Sequence, residues 1–241
     1  GAYGDSRADV YDERYPATPG VRECADTVAE LAGPGGSVLE FGVGTGRIAR
    51  PLADRGLRVT GVDASRRMLE RLAAHDPEGA VTPVHASFGT VAVAERFDVV
   101  LGAFNALCCA PTQDEQITTL GVMRQHLAPG GRIVLETFEP RRQHGQRAAA
   151  TTLHPLGHQR ALLESVQVIP ESQLMLMVSM VMGGERHGVS VGFLRYVWPT
   201  ELDLMARLAG LELVDRWGGW TRSPFEADSA MCISVYSATD R

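Results

Sequence analysis

The sequence predicts an α/β fold: a parallel sheet with helices on both faces and a small antiparallel sheet inserted after the fifth strand. Three observations carry this expectation. Apolar runs alternate with helix-like segments from residue 38 to residue 138, as strands joined by helical crossovers do. After Pro140 the alternation stops, and strand-like segments follow one another across turns too short for a crossover. The 241 residues are 44% hydrophobic, enough to build one large core and too apolar for a disordered chain.

Taken in order, residues 1–34 precede the first strand, 35–140 form the core, 141–198 form the insertion and 199–241 return the chain to the core sheet. Strands are expected at 38–41, 57–62, 81–86, 97–101 and 132–138, each a short run bounded by turn residues. Helices are expected at 47–54, 65–75 and 112–127. Ser65 reads as an N-cap, and Thr112 followed by Glu115 three residues on reads as a capping box. Pro129-Gly130-Gly131 then turns the chain into the next strand. In the insertion, strands at 161–169, 174–182 and 189–198 are separated by Pro170-Glu171-Ser172 and Gly183-Gly184. Met175, Met177, Met180 and Met182 do not share one face at period two, so they read as packing rather than a ligand stripe. A helix at 200–209 and strands at 211–217 and 231–237 complete the chain.

Composition excludes several chemistries. All 23 residues of the Lys+Arg count are Arg, so the chain holds neither a Schiff-base amine nor the lysine of a phosphate-binding P-loop. A net charge of −6 argues against a nucleic-acid groove. The one local basic cluster, Arg141, Arg142, His144 and Arg147, reads as a solvated loop, with an anion or substrate contact as the alternative. Cys24, Cys108, Cys109 and Cys232 lack C-x-x-C spacing, so no metal site is expected and a reduced, cytoplasmic protein is. No run of 18 apolar residues implies a membrane span, and Gly1-Ala2-Tyr3-Gly4-Asp5 lacks the look of a secretory leader.

The informative segment is Val38-Leu39-Glu40-Phe41-Gly42-Val43-Gly44-Thr45-Gly46-Arg47, a hydrophobic strand running into a glycine turn and a helix. Glycines let a backbone approach a ligand and present N–H groups at the helix start. A dinucleotide fingerprint, G-x-G-x-x-G, would need glycine at position 47; Arg47 stands there instead. Glu40, two residues before the first glycine, suits an amino group better than a pyrophosphate. The next strand ends in Gly61-Val62-Asp63, whose carboxylate has the acceptors for a ribose diol. Together they specify a nucleoside with an amino-acid-like or cationic attachment.

These residues resemble the class I S-adenosylmethionine-dependent methyltransferases, with their E/D-x-G-x-G-x-G turn and acidic end to the second strand. The resemblance implies a Rossmann-like sheet and S-adenosyl-L-methionine as cofactor, leaving as S-adenosyl-L-homocysteine. Glu40, Gly42, Gly44 and Gly46 would then line the methionine end, Asp63 would hold the ribose, and Ala64 and Met68 would flank the adenine. Where many members carry an Asp after the third strand, this chain reads His85-Ala86-Ser87-Phe88. Ser87 or a backbone carbonyl would replace that contact, and Phe88 would pack on the ring.

The N-terminal tyrosines look like the lid of antibiotic, amino-sugar and lincosamide-type N-methyltransferases, so residues 1–34 are expected to close over the site. Tyr11, Tyr15 and Arg22 would touch the cofactor, and Tyr3 and Tyr11 would act in catalysis with Phe104 and Asn105. Those last two occupy the place of the N/D-P-P-Y/F tetrapeptide of nucleobase methyltransferases, which is absent. Phe138, Glu139, His154, His158 and Trp220 are the expected substrate contacts. The expected reaction is in-line methyl transfer to an amine of a small secondary metabolite, driven by proximity and desolvation. O-methylation using a histidine, Glu139 or a tyrosine as base remains open, as does a cofactor-binding module without turnover. A homo-oligomer is expected.

Overall fold

The computed structural model describes residues 2–16, 19–145, 148–157, 159–183 and 188–239. The chain begins with two short helices, α1 (Ala2–Arg7) and α2 (Tyr11–Arg14), and a longer one, α3 (Pro19–Ala32). The core then runs β1 (Ser37–Phe41), α4 (Ala49–Ala53), β2 (Arg58–Asp63), α5 (Arg66–His75), β3 (Val81–His85), β4 (Phe97–Gly102), α6 (Gln113–Gln125) and β5 (Leu127–Phe138). After α7 (Arg141–His144) come β6 (Ala150–Leu156), β7 (Arg160–Ile169), β8 (Leu174–Met182) and β9 (Gly188–Arg195). The chain closes with α8 (Pro199–Leu208), β10 (Leu211–Trp217) and β11 (Met231–Ala238).

Seven strands form one sheet in the order β10-β11-β5-β4-β1-β2-β3. The sheet is mixed rather than wholly parallel, because β11 runs antiparallel to both β10 and β5. Helices cover both faces, as the alternating pattern requires. On one face Val21, Cys24, Ala25 and Val28 of α3 pack with Ala49 and Leu52 of α4 and Leu72 of α5. On the other, Leu120 and Met123 of α6 pack with Leu202, Met205 and Ala206 of α8. Ser65 caps α5 by accepting from the Met68 N–H, and Thr112 and Glu115 form the capping box of α6.

The second sheet has four antiparallel strands in the order β6-β7-β8-β9, one more than the sequence suggested. Strand β6 is largely exposed and carries Pro155, so neither periodicity nor composition marks it. Strand β9 stops at Arg195, because Tyr196 to Trp198 lead into Pro199 at the first turn of α8. That junction is tied by a buried network: Arg195 donates to Gln116 Oε1 (2.7 Å) and Glu201 Oε1 (2.6 Å), while Gln116 Nε2 donates to the Arg195 carbonyl (2.9 Å). The insertion is thereby fixed to α6 and α8. Helix α4 begins two residues later than expected, since the glycine turn extends through Ile48.

One close approach positions the tips of β1 and β2. A Cβ on Gly61 would lie 2.4 Å from Val43 Cγ2 and 2.7 Å from Val43 Cβ, so glycine there lets the turn after β1 settle on β2. Gly61→Ala should lower stability by about 1–3 kcal/mol through overpacking. Adding Val43→Ala should recover part of that loss in urea denaturation; losses that simply add would contradict the steric reading.

Candidate functional site

A cavity of about 980 Å³ opens at the carboxyl ends of β1, β2 and β4, where the strand order reverses direction. Gly42 (φ +79°) and Gly44 (φ +55°) adopt left-handed backbone in its floor, which glycine tolerates without strain. A Cβ on Gly42 would come within 3.3 Å of Ala106 and 3.4 Å of Phe88, so its absence keeps the floor open. The Gly44 N–H donates to Asp63 Oδ2 (2.9 Å) and the Ser65 N–H to Asp63 Oδ1 (2.8 Å). Each carboxylate oxygen keeps a lone pair for a ligand. Burial raises the Asp63 carboxyl, and the two N–H bonds pull the other way.

Glu40 is buried at the end of β1, and its Oε2 has no hydrogen-bond partner among the described residues. Burial pushes its carboxyl up to about 8, against the pull of the Arg47 charge. An unsatisfied buried carboxylate oxygen beside an open cavity calls for a donor brought by a ligand. The Arg47 guanidinium carbon sits 3.7 Å from the Phe104 ring centroid and 5.6 Å from the centroids of Tyr11 and Tyr15. The two tyrosine rings are themselves 5.0 Å apart. Arg47 thus presents a cation, flanked by aromatic faces, whose charge is felt at Glu40.

The turn after β4 holds Phe104 (φ +48°) and Asn105 (φ +64°) in left-handed backbone, which for a phenylalanine is strained. Two side chains pin it. Glu136 Oε2 accepts from the Phe104 N–H (2.8 Å), and Asn105 Oδ1 accepts from the Phe138 N–H (2.6 Å). Asn105 therefore spends its carbonyl on the backbone and has its amide N–H groups left to offer a ligand. Phe138, Met175, Met177 and Leu194 add an apolar stretch to the cavity wall.

Helices α1 and α2 strap across the site between the two sheets. On the core side Ser65 Oγ donates to Asp5 (2.6 Å), Thr45 Oγ1 donates to Asp12 (2.6 Å), and Arg71 pairs with Asp12. On the insertion side Arg7 and Arg14 both pair with Glu164, at 2.6 and 3.0 Å, and Glu13 pairs with Arg160. Gly4 allows the close pass, because a Cβ there would lie 2.7 Å from Ser65 Cβ.

Of the residues singled out in the sequence, Tyr11, Tyr15, Glu40, Gly42, Gly44, Asp63, Ala64, Met68, Ser87, Phe88, Phe104, Asn105 and Phe138 meet at the cavity. Others go elsewhere. Gly46 (φ +87°) faces Leu72, 2.5 Å from where its Cβ would be, and serves helix packing. Arg22 is exposed, because α3 turns Val21, Cys24 and Ala25 inward and leaves position 22 outside. Trp220 is 3% exposed in the core, its indole N–H donating to Glu136. Glu139 is buried against Arg141, and His154 lies 3.0 Å from Glu164 in the strap anchor. Arg141 and His144 of the basic cluster are likewise engaged, His144 bonding the Tyr196 hydroxyl at 2.7 Å. The Tyr3 side chain and all of His158 fall outside the described residues, as do the Arg142 side chain and Arg147. Sequence reasoning missed Arg47, Met175, Met177 and Cys109 as cavity residues. Only Arg47 had a signal, its place directly after the third glycine.

A family model described as Methyltransferase domain matches residues 38–131. The chain is 30% identical to a cypemycin N-terminal methyltransferase of Streptomyces sp. over 97% of its own length and 96% of the relative's. It is 41% identical to the CcbJ methyltransferase of Streptomyces caelestis, whose solved structure superposes with a TM-score of 0.86 over 99% of this chain and 98% of that one. CalS10, an amino pentose methyltransferase of Micromonospora echinaspora solved with S-adenosylmethionine bound, shares the fold at 20% identity and a TM-score of 0.73, covering 95% of each chain.

The raised Glu40 carboxyl has a consequence for stability. The folded chain retains a proton that the unfolded chain releases above its ordinary value of 4.5, so stability falls as pH rises toward about 8 and levels off beyond it. Glu40→Gln should flatten that fall. Urea midpoints at pH 5 and pH 8, without ligand, should separate more in the wild type than in the variant; equal pH dependence would show that Glu40 ionises normally.

Proposed function

We propose, for a chain that belongs to the class I S-adenosylmethionine-dependent methyltransferases, that its reaction is methylation of an amine nitrogen on a small molecule. One observation carries the choice of nitrogen: no histidine lines the cavity among the described residues, and its carboxylates are already engaged or set back. Asp63 accepts two backbone N–H groups, Glu115 serves the α6 cap, and Glu40 is buried at the strand end. A hydroxyl usually needs a base within hydrogen-bond reach, whereas an amine that arrives neutral does not. The absence of lysine removes another common base, and of the cavity tyrosines Tyr11 has its phenol raised by burial, away from the basic phenolate form. The names of two relatives agree, one methylating an N-terminus and one an amino pentose.

The cavity residues fit the cofactor. The orphaned Glu40 oxygen matches the methionyl ammonium, Arg47 matches the carboxylate beside it, and Asp63 has acceptors for the ribose hydroxyls. Ala64, Met68 and Phe88 would flank the adenine, with Ser87 at its edge. When bound, S-adenosylmethionine supplies a methyl group on a sulfonium, and S-adenosylhomocysteine remains. The chain's own contribution is placement. Tyr11, Phe104 and Asn105 orient the amine, the strap excludes water, and the wall of Phe138, Met175, Met177 and Leu194 takes an apolar body on the acceptor. Tyr3 stands with them as a catalytic candidate by its place in α1. Four free cysteines fit a reducing, cytoplasmic setting. We read the acceptor as a secondary metabolite of the antibiotic type and the working state as a homo-oligomer.

Asp63→Ala should weaken cofactor binding by about 1–3 kcal/mol, the worth of hydrogen bonds to a charged acceptor. Calorimetric titration checks this, and unchanged affinity would remove Asp63 from the ribose site. Transfer of labelled methyl to matched amine and hydroxyl acceptors tests the chemistry; label found on oxygen alone would overturn the nitrogen assignment.

A further inference from the structure

The cavity rim beside β3 is built differently from the cavity floor. Ser87, Gly89, Glu115 and Thr118 line it and are exposed, and a Cβ on Gly89 would lie 3.6 Å from Thr118 Cγ2. The first turns of α6 therefore stand against the loop that follows β3. Ala64 lies beside that loop, its carbonyl 3.2 Å from His85 Nε2. The loop closes on its own groups. The Ser87 carbonyl accepts both the N–H (3.0 Å) and the hydroxyl (3.3 Å) of Thr90, which uses its two lone pairs and leaves the Ser87 hydroxyl to donate to Thr90 Oγ1 (2.8 Å). Residues 86–90 carry no charge.

Glu115 brings the charge that the loop lacks. Its Oε2 is committed to the capping box of α6, where it accepts from the Thr112 N–H (3.1 Å) and hydroxyl (2.9 Å). Its Oε1 makes no hydrogen bond among the described residues, so a carboxylate held in place by the cap keeps one oxygen for the cavity. A side chain ordered in advance costs a ligand little to engage. We propose that Glu115 reads the base of the bound nucleoside, its Oε1 accepting an N–H of the exocyclic amine of adenine. The assignment rests on the reading of this cavity as the site of S-adenosylmethionine. An ionised carboxylate only accepts hydrogen bonds, so it favours a base with an amine at that position and repels one with a carbonyl oxygen. A hydroxyl such as that of Ser87 both donates and accepts, and draws no such distinction. An oxygen occupied in this way is also withdrawn from service as a base toward the acceptor.

Calorimetric titration of the full chain with S-adenosylhomocysteine and with S-inosylhomocysteine, which carries a carbonyl oxygen in place of the amine, tests the assignment. The wild type should bind the adenine compound at least about tenfold more tightly, the worth of one hydrogen bond to a charged acceptor. Glu115→Gln keeps an oxygen for the Thr112 cap, as glutamine does in capping boxes, and turns amide N–H groups toward the ligand. That variant should lose the preference or invert it, a change that weakening of the helix alone does not produce. Glu115→Ala should bind the two compounds alike, and thermal melting shows that each variant is folded. A wild type that binds both compounds equally, or a Glu115→Gln variant that keeps the full preference, would overturn this assignment and leave the cofactor reading standing. Failure of the wild type to bind S-adenosylhomocysteine at all would overturn both.

Discussion

Everything at the site is arranged around a carboxylate taken out of water without a full set of partners. Glu40 lies at the end of the central strand β1, flanked by β4 and β2, and one of its oxygens has no donor among the described residues. Burying such a group costs several kcal/mol unless it is neutralised or paired. The chain meets that cost in part with a proton and in part with Arg47, whose charge favours the ionised form. Arg47 is in turn confined by Phe104, Tyr11 and Tyr15, so the electrostatics of the strand end and the aromatic lining of the cavity are one arrangement. Under the proposed function the ammonium of the cofactor's amino-acid head group would complete it, a match that a pyrophosphate could not make.

A second arrangement holds the acceptor side. The left-handed turn at Phe104 and Asn105 is strained, and it persists because Glu136 and Asn105 each accept a backbone N–H across it. Glu136 also receives the Trp220 indole N–H from near the end of the chain. Residues from β5, the β4 turn and the C-terminal segment therefore fix the backbone that carries the Phe104 ring. Under the proposed function small errors in that ring would misplace the acceptor, and positional error of this kind costs rate steeply.

What was legible in the sequence was local. The glycine turn, Glu40, Asp63 and the caps at Ser65 and Thr112 are each written within a few consecutive residues, and they sit where their spacing implied. What was illegible depended on partners far along the chain. Trp220 is held by a carboxylate 84 positions earlier, and the strap arginines meet Glu164 about 150 positions on, so no window of sequence could show that those side chains were already engaged. Met175 and Met177 were hidden for another reason. Strand β8 is apolar on both faces, one turned to the cavity and the other outward, and uniform hydrophobicity erases the period-two signal. Strand β6 lacked that signal altogether.

The strap of α1 and α2 separates two evolutionary freedoms. The residues proposed to hold the cofactor come from the first 115 positions of the chain, while much of the wall proposed for the acceptor comes from β8 and β9 of the insertion. Substitutions in those two strands can reshape the acceptor wall and leave Glu40 and Asp63 untouched. The strap grips both beside the cavity, through Asp5 and Asp12 on one side and Arg7, Glu13 and Arg14 on the other. It is the element that must co-vary when the insertion diverges, and a graft of the insertion onto a related core would carry residues 2–16 with it.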